Sequence, residues 1–84
     1  MKTYSQMTKE QKINWNEHLI AKNQHWLKKY WEMEDELLEL RKHAKNYGKS
    51  IIDNELCSLE LEIKRVEEVI DDCEIELKRL GVDY

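Results

Sequence analysis

Between residues 50 and 80 the apolar side chains fall at Ile52, Leu56, Leu59, Ile63, Val66, Ile70, Cys73, Leu77 and Leu80, in steps that alternate between four and three. That spacing keeps one narrow stripe on one side of an α-helix, whereas a strand would need alternation at every second residue. A four-three stripe is the seam of a coiled coil, so this segment must lie along another helix. Nothing in the composition breaks it: the chain has no proline and only two glycines, Gly48 and Gly81. Ser50 and Asp53 have the spacing of an N-terminal capping box, while Lys78, Arg79 and Gly81 form a stop signal.

A partner helix lies earlier in the same chain. Thr8-Lys-Glu-Gln11 is a capping box. The predicted seam then runs through Leu19, Trp26, Tyr30, Met33, Leu37, Leu40, Ala44 and Tyr47, with Asn16 and Asn23 at alternating positions. Gly48 follows the last of these and reads as the end of the first helix. The expected organisation is a single domain over 1–84: a tail at 1–8, helix 1 over 9–47, a turn at 48–50, helix 2 over 51–80 and a tail at 81–84. So short a turn folds the two helices antiparallel. The fold class is therefore all-α, an antiparallel two-helix hairpin resembling a coiled coil.

Charge is unevenly distributed. Residues 1–31 carry six lysines and two glutamates, while residues 32–84 carry eight basic and sixteen acidic side chains. With a turn centred at Gly48–Lys49, facing residues have numbers summing to about 97. Lys22 then faces Glu74 and Glu76, Lys29 faces Glu67 and Glu68, and Glu32 and Glu36 face Lys64 and Arg65. The asymmetry becomes internal pairing that sets helix orientation. Asp35, Glu39, Asp71 and Asp72 have no such partner and are expected to form an outward acidic surface, either simply solvated or a decoy for a basic nucleic-acid channel.

Helix 1 carries more apolar surface than one partner covers. Ile20, Leu27, Trp31 and Leu38 form a second stripe about 100° from the first, with Trp15 near its edge. Such a stripe does not face water on a monomer. Two hairpins pairing into a four-helix bundle, a homodimer, would cover it, and so would docking on a different protein. Helix 2 also ends opposite about residue 17, so residues 1–16 should overhang.

The stretch NWNEHLIAKNQHWLKKYW at 14–31 holds all three tryptophans and two histidines. His18 and His25 are two turns apart, roughly 10.5 Å, too far to share a metal, and no helical metal-ligand spacing occurs. Cys57 and Cys73 are roughly 24 Å apart on one straight helix, beyond disulfide reach. No metal site, cofactor or catalytic residue is expected. Direct nucleic-acid binding is not expected either, because the predicted seam buries Trp26 and Tyr30 and the pairing neutralises Lys22 and Lys29. No apolar run suits a membrane span, and MKTYSQMTKEQ has no signal core, so the expected location is the cytoplasm.

Residues 37–66 resemble the short helical hairpins that dephosphorylate phospho-aspartyl response regulators of sporulation. Those have a glycine-ended first helix and, ten residues on, Ser-Gln-Glu-Leu-Asp. Here Gly48 is followed by Ser58-Leu59-Glu60-Leu61-Glu62, which departs from the motif at Leu59 and Glu62. The resemblance implies an aspartyl-phosphate phosphatase as one alternative. A purely structural or assembly coiled coil is another. The leading expectation is a non-catalytic protein-binding module that inhibits or modulates its partner. It is similar in general type to phage or mobile-element products that block nucleic-acid enzymes such as CRISPR nucleases.

Overall fold

In the computed structural model, which describes residues 3–82, two long helices lie side by side as a hairpin: α1 (Lys9–His43) and α2 (Asn46–Arg79). A 3₁₀ turn, Tyr4–Gln6, precedes them, and the hairpin measures 56 × 26 × 16 Å. No strand occurs among the described residues. Lys2, counted with the overhang, and the last two residues of the C-terminal tail lie outside them.

The helix ends are set by local chemistry. At the start of α1 the Thr8 hydroxyl accepts from the Gln11 backbone N–H at 3.2 Å, and the Gln11 side chain accepts from the Thr8 N–H at 3.0 Å. That is the predicted capping box. At the end of α2 Gly81 takes a φ of 91°; its N–H donates to the Lys78 carbonyl, and the Val82 N–H donates to the Leu77 carbonyl. This 6→1 and 5→2 pair satisfies two otherwise unpaired carbonyls, and Val82 packs back on the core.

The turn differs from the expectation. It consists of Ala44 and Lys45, both extended, and lies four residues earlier than Gly48–Ser50. Two residues suffice to reverse the chain between antiparallel helices. Gly48 and Ser50 are inside α2. A Cβ on Gly48 would come within 3.2 Å of the Ala44 Cβ. The glycine therefore provides room for the first turn of α2 to pass beneath the link, not a left-handed backbone, and C-terminal glycine statistics mislead here.

Moving the turn shifts the whole register. Tyr30 with Glu62, Met33 with Leu59, and Leu37 with Glu55 line one groove, so facing numbers sum to about 92, not 97. The predicted cross-helix charge pairs are lost with that shift. In this register Lys29 is level with Glu62 and Glu36 with Leu56, and neither Lys29 nor Glu36 makes an ion pair across the helices among the described residues. Among the described residues Arg41–Asp53, at 2.7 Å, is the one ion pair between the helices. Lys42–Glu39, Arg65–Glu62 and Arg79–Glu76 each stay within a single helix.

The seam of α2 is as predicted: Leu59, Ile63, Val66, Ile70, Cys73 and Leu77 are buried. The seam of α1 is not. Ile20 (4% exposed) and Leu27 (9%) are the buried apolar residues of α1, with Ile13, Leu19, Tyr30 and Leu37 packed partly against the core. Asn16 and Asn23 sit between them as expected, and Asn16 is buried. Relative to the predicted face, α1 is turned by about 60°, taking 100° per residue. The aliphatic Ile20 and Leu27 fit the 8–10 Å spacing of packed helices, whereas Trp26 in the seam would hold the axes apart.

The overhang is absent for the same reason: with the turn earlier, α2 reaches the start of α1, and Gly81 lies near the Lys9 ammonium. The chain before α1 folds back. The Asn16 side-chain amide donates to the Tyr4 hydroxyl at 3.0 Å and to the Lys12 carbonyl at 2.8 Å, and the Lys12 ammonium sits 5.2 Å from the Tyr4 ring centroid. Buried Asn16 is thus satisfied.

The seam makes an opposite forecast to the predicted face. Leu27→Ala should cost about 2–5 kcal/mol in urea unfolding, whereas Met33→Ala should cost less than about 1 kcal/mol. The reverse ranking would show that α1 presents its other side.

Candidate protein-docking flanks

With its seam turned to α2, α1 leaves large apolar side chains on both sides. Leu19, Trp26, Met33 and Leu40 recur every seven residues along one side, with Trp15 beyond them. Met33 shares its groove, about 200 Å³, with Glu55, Ser58 and Glu62 of α2. Trp31 and Leu38 run along the other side, where Leu38 borders a hollow lined by Asp35, Glu39, Arg41, Lys42 and Lys49.

On the first flank Trp26 is 43% exposed. Its ring stacks on Tyr30 with centroids 6.0 Å apart and an interplanar angle of 28°. The Lys29 ammonium sits 5.6 Å from the Trp26 ring centroid, and His25 meets the ring edge at 6.2 Å. These contacts hold the indole in place while leaving a face open. Val69 of α2 is exposed on the same flank. Charges there balance: Lys12, Lys22, Lys29, Arg65 and Arg79 against Glu36, Glu55, Glu62, Asp72 and Glu76.

The second flank is acidic. Trp31 (50% exposed) and Leu38 (44%) stand beside the edge of α2 that carries Asp53, Glu60 and Glu67. Along its length Glu10, Glu17, Asp35, Glu39, Asp53, Glu60, Glu67, Asp71 and Glu74 outnumber Lys28, Arg41, Lys42, Lys49, Lys64 and Lys78, although the hollow beside Leu38 itself holds three of the bases and two of the acids.

The structure therefore divides the predicted stripe three ways. Ile20 and Leu27 are core residues, not docking residues. Trp15 is exposed on the Trp26 flank, and Trp31 and Leu38 are exposed on the other. The predicted acidic surface is divided as well. Asp35 and Glu39 lie near the turn, whereas Asp71 and Asp72 lie beside residues 20–21 of α1, roughly 20–25 Å away along the axis. Asp71 and Asp72 point to opposite flanks, as neighbours on a helix do. Glu39 is engaged by Lys42 at 3.2 Å and approached by His43 at 3.7 Å. The exposed Trp26–Met33–Leu40 row is not distinguishable in the sequence, because its seven-residue spacing fits the seam equally well.

Two grounds for expecting no nucleic-acid binding change with it. Trp26 is open, and Lys22 and Lys29 take part in no ion pair among the described residues. The acidity of the chain as a whole, formal net charge −4, still disfavours such binding.

Among the described residues no group of three or more His, Cys, Asp or Glu side chains is placed to hold a metal ion, and no helix is long and apolar enough to cross a membrane. Both cysteines are free, Cys57 exposed and Cys73 buried. Burial pushes the Cys73 thiol up, aided by Asp72. In the segment that resembles the response-regulator phosphatases, Leu59 is buried in the seam, while Ser58, Glu60, Leu61 and Glu62 are exposed. Comparison with protein-family models, with curated proteins and with solved structures finds no match.

Two carboxylates sit below their ordinary range. Asp53 is lowered first by its bond from Arg41, and Glu76 first by Arg79, with smaller help from the Tyr4 hydroxyl and Lys12. A lowered carboxylate stabilises the fold above its unfolded pKa, and that contribution is lost as pH falls through the folded value. The stability gap between the native chain and Asp53→Asn with Glu76→Gln, present at neutral pH, should therefore begin to close as pH falls below about 4 and be lost once pH is below the lowered folded values, read in thermal melts. A gap undiminished at about pH 2 would contradict the assignment. Iodoacetamide should modify Cys57 in the folded protein and Cys73 only on unfolding, read by mass spectrometry; equal rates would place Cys73 outside the core.

Proposed function

We propose that this protein is a non-catalytic binding module whose Trp31 flank docks on a basic surface of another protein and so inhibits or modulates it. The observation that carries this reading is the pair Trp31 and Leu38, half exposed in a flank that carries nine acids against six bases. An exposed tryptophan and leucine supply the apolar anchor that interface hot spots need. The surrounding carboxylates select a positively charged partner and speed its approach. Proteins that hold nucleic acid carry such surfaces, so a nucleic-acid enzyme of the cytoplasm is the partner class that fits, with the acidic flank competing for its channel.

The immobilised protein should retain, from a cell lysate, proteins that added heparin displaces and that rising salt releases. Trp31→Glu should weaken retention about 30-fold, the loss expected of one hot-spot residue. Retention indifferent to both heparin and Trp31→Glu would overturn the reading. Retention of nothing but further copies of the chain would replace it with that of a structural coiled coil.

A further inference from the structure

We infer that the Trp26 flank is the interface of a two-fold dimer in which α1 of each copy lies along α2 of the other. The occupant is a second copy of this chain, and the argument begins with charge. The formal net charge is −4, so two copies repel each other unless they meet through a face whose own charges cancel. The Trp31 flank carries a net negative charge. The Trp26 flank balances its acids and bases, and its charges lean by helix: Lys12, Lys22 and Lys29 against Glu36 on α1, and Glu55, Glu62, Asp72 and Glu76 against Arg65 and Arg79 on α2.

A two-fold axis parallel to the helices inverts the left and right of that face, so α1 of one copy falls on α2 of the other at the same level. Facing numbers across the interface then again sum to about 92. Lys29 comes opposite Glu62 of the other copy, and Lys22 comes within one helical turn of Asp72. Trp26 comes within a turn of Val69 and Arg65, and Leu40 lies over Ile51. Each of Trp26, Val69, Leu40 and Ile51 is an exposed large apolar residue in the single hairpin, and the pairing covers all four. Glu36 beside Glu55 and Lys12 beside Arg79 are the like-charged contacts, the second offset by Glu76 one turn away. An isologous interface makes every pair twice. A face 56 Å long and 26 Å wide can readily supply the about 800 Å² per partner of a standard interface. It also gives a two-helix hairpin, which has little core of its own, the second layer it lacks.

The proposal concerns the flank opposite Trp31 and stands apart from the partner reading. Sedimentation of the full chain at tens of micromolar should give a dimer. Lys22→Glu with Lys29→Glu should weaken it at least about tenfold while the helical circular dichroism is unchanged, and adding Glu62→Lys with Asp72→Lys should restore it. Glu55→Lys should tighten it by removing the first like-charged contact. Should the charge variants lose helicity, Met33→Lys at an exposed position gives the same reading. Trp31→Glu should leave the dimer intact, whatever it does to retention of a partner. A native chain that sediments as a monomer overturns the proposal, including a monomer that binds single-stranded DNA through this flank. So does a dimer indifferent to Lys22→Glu with Lys29→Glu, or one lost with Trp31→Glu.

Discussion

The packing of Ile20 and Leu27 into the unbroken row from Leu59 to Leu77 is the contact on which the rest of the molecule depends. Burying each such side chain stabilises by roughly 1.5–3 kcal/mol, and together they fix the rotation of α1 about its axis. Rotation decides exposure. With Ile20 and Leu27 inside, Trp26 and Met33 go to one flank, and Trp31 and Leu38 to the other. A turn of about 60° would return Trp26 to the seam and release Ile20 and Leu27. The same contact concentrates the core in the half away from the turn. Nearer the turn the seam positions of α1 carry Glu34 and Arg41, neither of them buried. There Arg41 reaches across to Asp53 instead.

Electrostatics follows from the register. Among the described residues the helices exchange one ion pair, so most of the charge is left for the outer faces. One flank is balanced, and the other carries a net negative charge. Exposed pairs within a helix contribute little to folding, but a charge pattern that does little for stability can still select what approaches. The two apolar rows of α1 are therefore set in different electrical surroundings. That contrast is why a second copy suits one flank and a basic partner suits the other.

The sequence made the all-helical hairpin legible because the four-three stripe of α2 admits one geometry, and the Thr8–Gln11 box and Gly81 stop acted as their local chemistry dictates. It did not reveal the turn, because Gly48 reads as a helix terminator whereas its contribution is the space beneath Ala44. The four-residue error then propagated to every cross-helix charge pair. Nor could it reveal the face of α1. Apolar side chains there span about 140–180° of the helix, and spacing alone cannot say which part of so wide an arc is buried. The fold-back of the N-terminal segment had a signal that went unread: Thr3-Tyr-Ser-Gln6 repeats the Thr-x-x-Gln spacing of the next box, and the Gln6 side chain accepts from the Thr3 N–H at 3.1 Å. Of the predicted docking residues, Trp15, Trp31 and Leu38 were legible as surface and Ile20 and Leu27 were not, for the same reason of arc.

The rotation of α1 is tested most directly by nuclear Overhauser contacts within one chain, using methyl-labelled protein diluted into unlabelled protein. The account predicts contacts from the Leu27 methyls to Ile63 and Val66 and from the Ile20 methyls to Ile70 and Cys73, with no intrachain contact from the Trp26 ring to the methyls of Ile63 or Ile70. Intrachain contacts from Trp26 to Ile63 and Ile70, with Ile20 and Leu27 open to solvent, would contradict it.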